Sequence, residues 1–398
     1  MPVKNAPLDE IIRRIKEKGP LTFAEFMDVA LYWPGGGYYT AASGRRWGAG
    51  GDYVTNLDIS PVFARMLAKQ IHQMWRILGS PPVFHCVEAG AGRGWLTDGV
   101  MAAARELYPD FSRAIRVSII EKNPALGKTD GTRSSHGDIS EIAGHFTGCI
   151  YSEELLDAMP FHRVVMRGNG LKEIYVGYED NRGLFDAEGE ISTEELSEYF
   201  EDLPAVLDGL PVGLIEGQRA EVGLEAKRWI RKAAGLLDRG FIITVDYGMP
   251  AGELYSAGRS GTLLCHFRHT MNDDPYRMVG AQDITCHVDF TTIRNEGIKA
   301  GLGVSGFTTQ RNFLLGMGVL EELTEVPDPT AAAIKAIGRN QGIKELVMPG
   351  GIGDAMKILI QHRGVDAPRL AGFSFRDMTG MLGAPKSDNL RPGQPVGS

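Results

Sequence analysis

The sequence predicts an α/β fold: a doubly wound, mostly parallel sheet with helices on both faces, an N-terminal helical segment and an inserted α+β lobe. Three observations carry this expectation. Short apolar runs at 83–87, 115–120 and 240–246 end on polar or acidic residues and alternate with helical stretches, the pattern of parallel strands. Gly90, Gly92 and Gly94 follow the first run at every second position and lead into a helix near Trp95. At 398 residues the chain is long enough for such a domain plus a substantial accessory region.

In chain order, Leu8, Ile11, Ile12 and Ile15 form the apolar stripe of a first helix that stops at Gly19-Pro20. Thr22 and Glu25 make a capping box for a second helix, which runs to about Tyr32 and is broken by Pro34 to Gly37. Residues 40–51 read as a mobile loop and 51–60 as a polar, unpatterned stretch. Ser60-Pro61 then opens a helix to about Leu78. After the first strand, a helix covers 95–108 and a second strand 115–120 ends at Glu121. A short third strand lies at 133–137 before Asp138, and a fourth at 148–152 ends at Glu153-Glu154. Residues 163–191 alternate about a Gly-Asn-Gly turn and read as hairpins, while 193–201 and 218–238 look helical. The strand at 240–248 is followed by a long polar insertion, and apolar segments at 302–309 and 355–361 complete the sheet. From Asp366 the chain reads as a loosely held tail. The expected organisation is therefore a helical segment and site-closing loop (1–80), core (81–162), hairpin and helical lobe (163–215), core (216–249), substrate-side insertion (250–292), last core strands (293–365) and tail (366–398).

The net charge of −8 offers no basic excess for a nucleic-acid backbone. No apolar stretch reaches the length needed to span a bilayer. The N-terminus, with Asp9, Glu10 and Glu17, resembles neither a secretory signal nor an acid-poor transit peptide. The four cysteines lack C-x-x-C spacing, which suits reduced thiols. The expected setting is cytoplasmic.

A strand that passes through close-set glycines into a helix brings bare N–H groups to a ligand. A tight strand–helix connection would need no more than that, so Glu88 is the informative residue. A carboxylate there would not help a pyrophosphate but would suit an ammonium or sulfonium. The G-x-G-x-G spacing also differs from the nicotinamide G-x-G-x-x-G. The stretch is read as an S-adenosyl-L-methionine loop. Glu121 could accept from both ribose hydroxyls and Asp138 from an adenine amine, with Ile139 packed on the ring. Acidic strand ends also suit the helix N-termini that follow them. Glu153, Glu154 and Asp157 form a second group, able to hold a planar guanidinium bidentately or simply to open a helix. Cys265-His266, His269 and Cys286-His287 have metal-ligand residue types but poor spacing, so they read as loop anchors with no metal. Tyr38-Tyr39 and Trp47 read as loop packing rather than a cation cage.

Several motifs occur together: Pro34-Gly-Gly-Gly-Tyr-Tyr, Gly51-Asp-Tyr-Val-Thr, Glu88-x-Gly-x-Gly-Arg-Gly, Glu154-Leu-Leu-Asp-Ala-Met-Pro160, Asp246-Tyr-Gly, Gly261-Thr-Leu and Gly280-x-x-Asp-Ile-Thr-x-His-Val-Asp-Phe290. In this order they resemble the MidA-like S-adenosylmethionine-dependent methyltransferases over about residues 8–362. Mitochondrial members of that family are complex I assembly factors that dimethylate an arginine of a core subunit. The resemblance implies a seven-stranded, Rossmann-like methyltransferase sheet. It also implies that Gly90, Gly92 and Gly94 shape the cofactor loop, that Glu121 takes the ribose, and that Gly51-Asp52 with Thr55 close over the site. Glu153 stands where Asn is usual, Asn56-Leu57-Asp58 where Ser-Pro-Glu is usual, and Met356 where Phe is common. The implied function is methylation of a protein arginine, with a protein partner presenting a basic residue, such as a respiratory-complex subunit. The alternatives are a small-molecule methyltransferase or a cofactor-retaining assembly protein without turnover. Assembly as a homodimer is left open.

Overall fold

The computed structural model describes residues 5–41, 51–52, 56–126, 133–203, 206–207, 210–211, 213–326 and 331–384. At its centre lie β1 (Phe84–Ala89), β2 (Ile115–Ile120), β3 (Arg133–His136), β4 (Phe146–Glu153), β5 (Leu237–Met249), β6 (Gly303–Thr309) and β7 (Met356–Arg363). Their spatial order is 3-2-1-4-5-7-6. The pairs formed among β1 to β5 are all parallel, while β7 runs antiparallel to both its neighbours, so the sheet is mixed. Val288–Asp289 adds a short parallel rung at the end of β5. The α/β class is as the sequence predicts.

The strands are apolar on both faces because both faces are covered. Cys86, Cys149, Tyr151, Phe241 and Ile243 pack toward the helices Val62–Ile77 and Trp95–Leu107. Val87, Ala89, Ile150 and Ile242 pack toward Leu224–Gly235 and Phe290–Lys299. The chain lays β1, β2 and β3 outward in one direction, then crosses to place β4 on the other side of β1. That reversal opens a crevice at the carboxyl ends of β1 and β4.

A second sheet is built from His162–Arg167, Gly170–Glu179 and Gly183–Gly189. It takes Leu21–Thr22 and Arg219–Val222 from outside the 163–215 stretch. The N-terminal helices Ala6–Lys18 and Phe23–Tyr32 share a core with this sheet and with the Leu264–Phe267, Thr270–Asn272 and Asp283–Thr285 sheet of the polar insertion. The Thr22–Glu25 capping box is present, and Asn5 Nδ2 donates to Val279 O at 2.8 Å.

The structure corrects several expectations. Residues 219–222 are a strand rather than the start of a helix, because Arg219 to Val222 pair antiparallel with Val165 to His162. The polar stretch before Ser60 holds a one-turn helix, Asn56–Ile59, too short for periodicity to reveal. Phe290–Lys299 is helical yet shows no separate polar face, since its polar residues Thr291, Thr292, Arg294, Asn295 and Glu296 are buried along with its apolar ones. Residues 366–384 are not loosely held. Leu370 and Leu382 are buried, Gly372 N donates to Gln70 Oε1 at 3.0 Å, and Arg294 donates to Leu382 O and Gly383 O at 2.7 and 2.6 Å. Isolated apolar residues between turns are here slotted one by one into the core surface.

Candidate active site

The loop after β1 is held against the end of β2: Gly90 N and Ala91 N both donate to Ile120 O, at 2.9 and 3.1 Å. Gly90, Gly92 and Gly94 all have positive φ (72°, 52° and 74°), a conformation that a side chain would strain. At Gly90 a Cβ would also lie 2.9 Å from Leu155 Cδ1, so the end of the Leu155 side chain would have to shift as well. Gly94 caps the helix Trp95–Leu107 without a side chain. Glu88 reaches across to that helix, accepting from Thr97 N at 2.9 Å, while Thr97 Oγ1 and Tyr151 OH share a 2.6 Å hydrogen bond.

Glu121 continues β2 and accepts from Gly92 N at 2.8 Å and from Asn123 N at 2.7 Å. It therefore ties the glycine loop to the next strand. Asp138 caps the short turn Ile139–Glu141 by accepting from Ser140 N at 2.9 Å, and Ile139 is buried. Glu88, Gly90, Gly92, Glu121, Asp138, Ile139, Glu153 and Glu154 line one cleft of about 1270 Å³, part of it open to solvent. Gly94 shapes the loop from behind. Asp52 is engaged elsewhere: it accepts from Tyr38 OH at 2.9 Å and from Arg268 N at 2.7 Å, beside the buried Gly51. Thr55 and Trp47 lie outside the described residues.

The acidic side of the cleft is set by Asp246, which follows Val245 in β5. Its carboxylate accepts from Leu155 N, Leu156 N and Tyr247 N at 3.1, 2.8 and 2.9 Å, so it fixes the turn that carries Glu154 and Asp157. Glu154 adopts a left-handed φ of 50°, unusual for a non-glycine residue, while its N–H is held by Val245 O at 3.0 Å. Glu154 Oε1 and Asp157 Oδ1 are buried and have no hydrogen-bond partner. Asp157 is buried and, unlike Glu153 and Glu154, is not among the residues that line the cleft; its carbonyl accepts from Cys286 N at 3.1 Å.

Burial pushes Glu88 up to about 8 and Glu153 up to about 7, the latter opposed by an amide from Asn56. Burial also raises Asp246 to about 7 against its backbone donors. Glu154 and Asp157 lie well above the usual carboxylate range, through burial first and then through neighbouring carboxylates including Asp246 and Asp283. Such a cluster favours a bound cation.

The sequence reading of Tyr39 as loop packing is corrected, since it forms an aromatic wall of the cleft with Tyr32, which that reading did not single out. Tyr32 and Tyr39 stack with ring centres 5.4 Å apart and both line the cleft. Tyr32 OH donates to Ala158 O at 2.9 Å and Tyr39 OH to Asp283 Oδ1 at 2.8 Å. Tyr32 closes a well-capped helix immediately before the Pro-Gly-Gly-Gly break, which is the signal that could have flagged it. The departures at 56, 153 and 356 meet in space: Asn56 Nδ2 lies 2.6 Å from Glu153 Oε1 and 3.2 Å from Met356 Sδ. Among the described residues no group of His, Cys, Asp or Glu is arranged to hold a metal ion, and Cys265 and Cys286 are buried free thiols.

A 3-2-1-4-5-7-6 sheet with its cleft at the strand reversal, a bare glycine loop, and acidic residues following the first two strands define an S-adenosyl-L-methionine-dependent methyltransferase. The loop leaves a side-chain-free cradle, and the Glu121 carboxylate lines the same cleft, so the residues fit that cofactor. Residues 66–308 match the family described as "putative S-adenosyl-L-methionine-dependent methyltransferase", and the chain belongs to it.

A protein of Burkholderia thailandensis solved with S-adenosyl-homocysteine bound is 27% identical, with a TM-score of 0.80, covering 95% of this chain and 98% of that one. The mitochondrial protein arginine methyltransferase NDUFAF7 of Danio rerio is 26% identical over 83% of this chain and 82% of its own. Its Drosophila melanogaster homolog is 25% identical over 91% of this chain and 87% of its own. These curated relatives are mitochondrial, which corrects the expected cytoplasmic setting: scattered reduced cysteines suit a cytosol but do not define one. Among the described residues no helix is long and apolar enough to cross a membrane.

Proposed function

We propose that the chain transfers the methyl group of S-adenosyl-L-methionine to a guanidinium nitrogen of an arginine in a protein substrate. The observation that carries this reading is the buried, unpartnered pair Glu154 Oε1 and Asp157 Oδ1, on which the strongest charges from the chain are all negative. Buried carboxylates left without a cation are costly, and a guanidinium would satisfy two at once through its planar fork. A neutral small acceptor would leave them unpaired. The arginine methyltransferases among the relatives support the same acceptor class.

In this reading Gly90, Gly92 and Gly94 cradle the cofactor and Glu121 accepts from its ribose. Asp138 and Ile139 receive the adenine, and Glu88 supplies negative charge near the sulfonium. Gly51 and Asp52 anchor the covering segment to the insertion. Glu153, Glu154 and Asp157 orient the guanidinium. The bound cofactor supplies an electrophilic methyl, and the nitrogen that takes it gives up a proton to the carboxylate that holds it. The resemblance to complex I assembly factors suggests a respiratory-complex subunit as the substrate.

The test is to incubate the protein with methyl-labelled cofactor and arginine or lysine peptides, then hydrolyse and identify the labelled amino acid. Methylarginine is expected, and Glu154→Gln should cut its formation at least about a hundredfold while leaving cofactor affinity nearly unchanged. Label on lysine alone, or cofactor affinity lost in proportion, would overturn the assignment.

A further inference from the structure

Behind Glu153 lies a buried polar set that the roles above leave unused. Asn56 and Gln310 are both fully buried. Asn56 Nδ2 donates to Glu153 Oε1 at 2.6 Å and to Gln310 Oε1 at 2.8 Å, and Gln310 Nε2 returns a bond to Asn56 Oδ1 at 2.7 Å. Two amides that exchange both hydrogen bonds lock each other's orientation, because flipping either one sets donor against donor and acceptor against acceptor. Gln310 in turn opens the helix Gln310–Gly316, whose cap Thr309 ends β6, so the lock is anchored on the sheet.

We propose that Asn56 and Gln310 are positioning residues for the reaction: Gln310 fixes the amide of Asn56, and Asn56 holds Glu153 by Oε1 so that its other oxygen serves the cleft. This rests on the reading of Glu153 as part of the acceptor and cofactor site. The groups that face Glu153 are Glu88 on β1, Glu154 beside it in the chain, Asp246 and Tyr247 on β5, and Asp58 on the one-turn helix. All are acidic or, for Tyr247, neutral, and each carboxylate opposes ionisation of Glu153. The Asn56 amide is the donor that favours it. A pair that merely tied the one-turn helix to the sheet would have no reason to point its spare N–H at a carboxylate in the cleft.

The variants are Asn56→Leu, nearly isosteric but without a donor, and Gln310→Met, which frees the Asn56 amide and keeps the test alive if the first does not fold. S-adenosyl-L-methionine and S-adenosyl-homocysteine are the probes, titrated into the full chain from pH 6 to 9. Loss of the donor should move the pH at which the charged probe gains affinity upward by about one unit, or about tenfold at fixed pH. Gln310→Met should show a smaller shift of the same sign. Glu153→Gln should remove the Glu153 share of that transition and leave the share of Glu88, and Asn56→Leu on top of it should add nothing. Equal weakening for both probes with an unmoved midpoint, or full additivity with Glu153→Gln, would overturn the proposal. A shifted midpoint without any methylarginine would refute the acceptor reading and leave this one standing.

Discussion

The acidic cleft makes cofactor binding a proton-releasing event. Glu88 and Glu153 line it and are raised by burial to about 8 and about 7. Near neutral pH both are then substantially protonated in the empty cleft, Glu88 more so than Glu153. A sulfonium in the cleft favours both anions, and its binding should expel about one proton or slightly more. Calorimetry at one pH in buffers of different ionisation enthalpy reads that number directly as the slope of apparent enthalpy. Glu88→Gln should reduce it most, and Glu153→Gln by a smaller amount, a comparison that cancels the ligand's own ionisation. S-adenosyl-homocysteine, with a neutral thioether, should release less. Affinity for the charged ligand should also rise with pH, by up to about tenfold per unit below the midpoint. A buffer-independent enthalpy, or the same release in Glu88→Gln as in the natural chain, would refute the reasoning.

Glu121→Ala should weaken cofactor binding at least about tenfold, since it removes both the proposed ribose acceptor and the bond to Gly92 N; calorimetry checks it. Gly90→Ala combines a positive φ with a 2.9 Å approach to Leu155, so it should cost about 1–2 kcal/mol in urea unfolding and also lower cofactor affinity. Leu382→Ala should destabilise by about 2–5 kcal/mol, because the side chain is fully buried; a loss below about 0.5 kcal/mol would show the segment to be loosely held after all.

Much of the cofactor half of the site was legible in the sequence, because it is local. A strand, three glycines and the acidic residues at successive strand ends sit within about seventy residues, and each obeys a backbone rule that can be read without a partner. The pairing of Arg219–Val222 was not legible, since its four residues become a strand only beside His162–Arg167. The aromatic wall and the Asn56–Gln310 pair were missed for a similar reason. Asn56 and Gln310 are separated by 254 positions, and nothing in either neighbourhood announces the other. Phe290–Lys299 escaped because Thr291, Thr292, Arg294, Asn295 and Glu296 are buried beside its apolar residues and break the stripe that periodicity needs.

The place of β7 has a consequence for how the chain is made. β7 lies between β5 and β6 but is, among the described strands of this sheet, the last to leave the ribosome, more than a hundred residues after β5 and about fifty after β6. Until it arrives, β5 offers Phe241, Ile242, Ile243 and Val245 along an edge with no antiparallel partner on that side. That edge is a template for any extended segment nearby, including the same strand of another nascent copy. Completion of the sheet is thus deferred until Met356–Arg363 has been made, and a chain truncated before Met356 would retain the glycine loop yet be prone to aggregate.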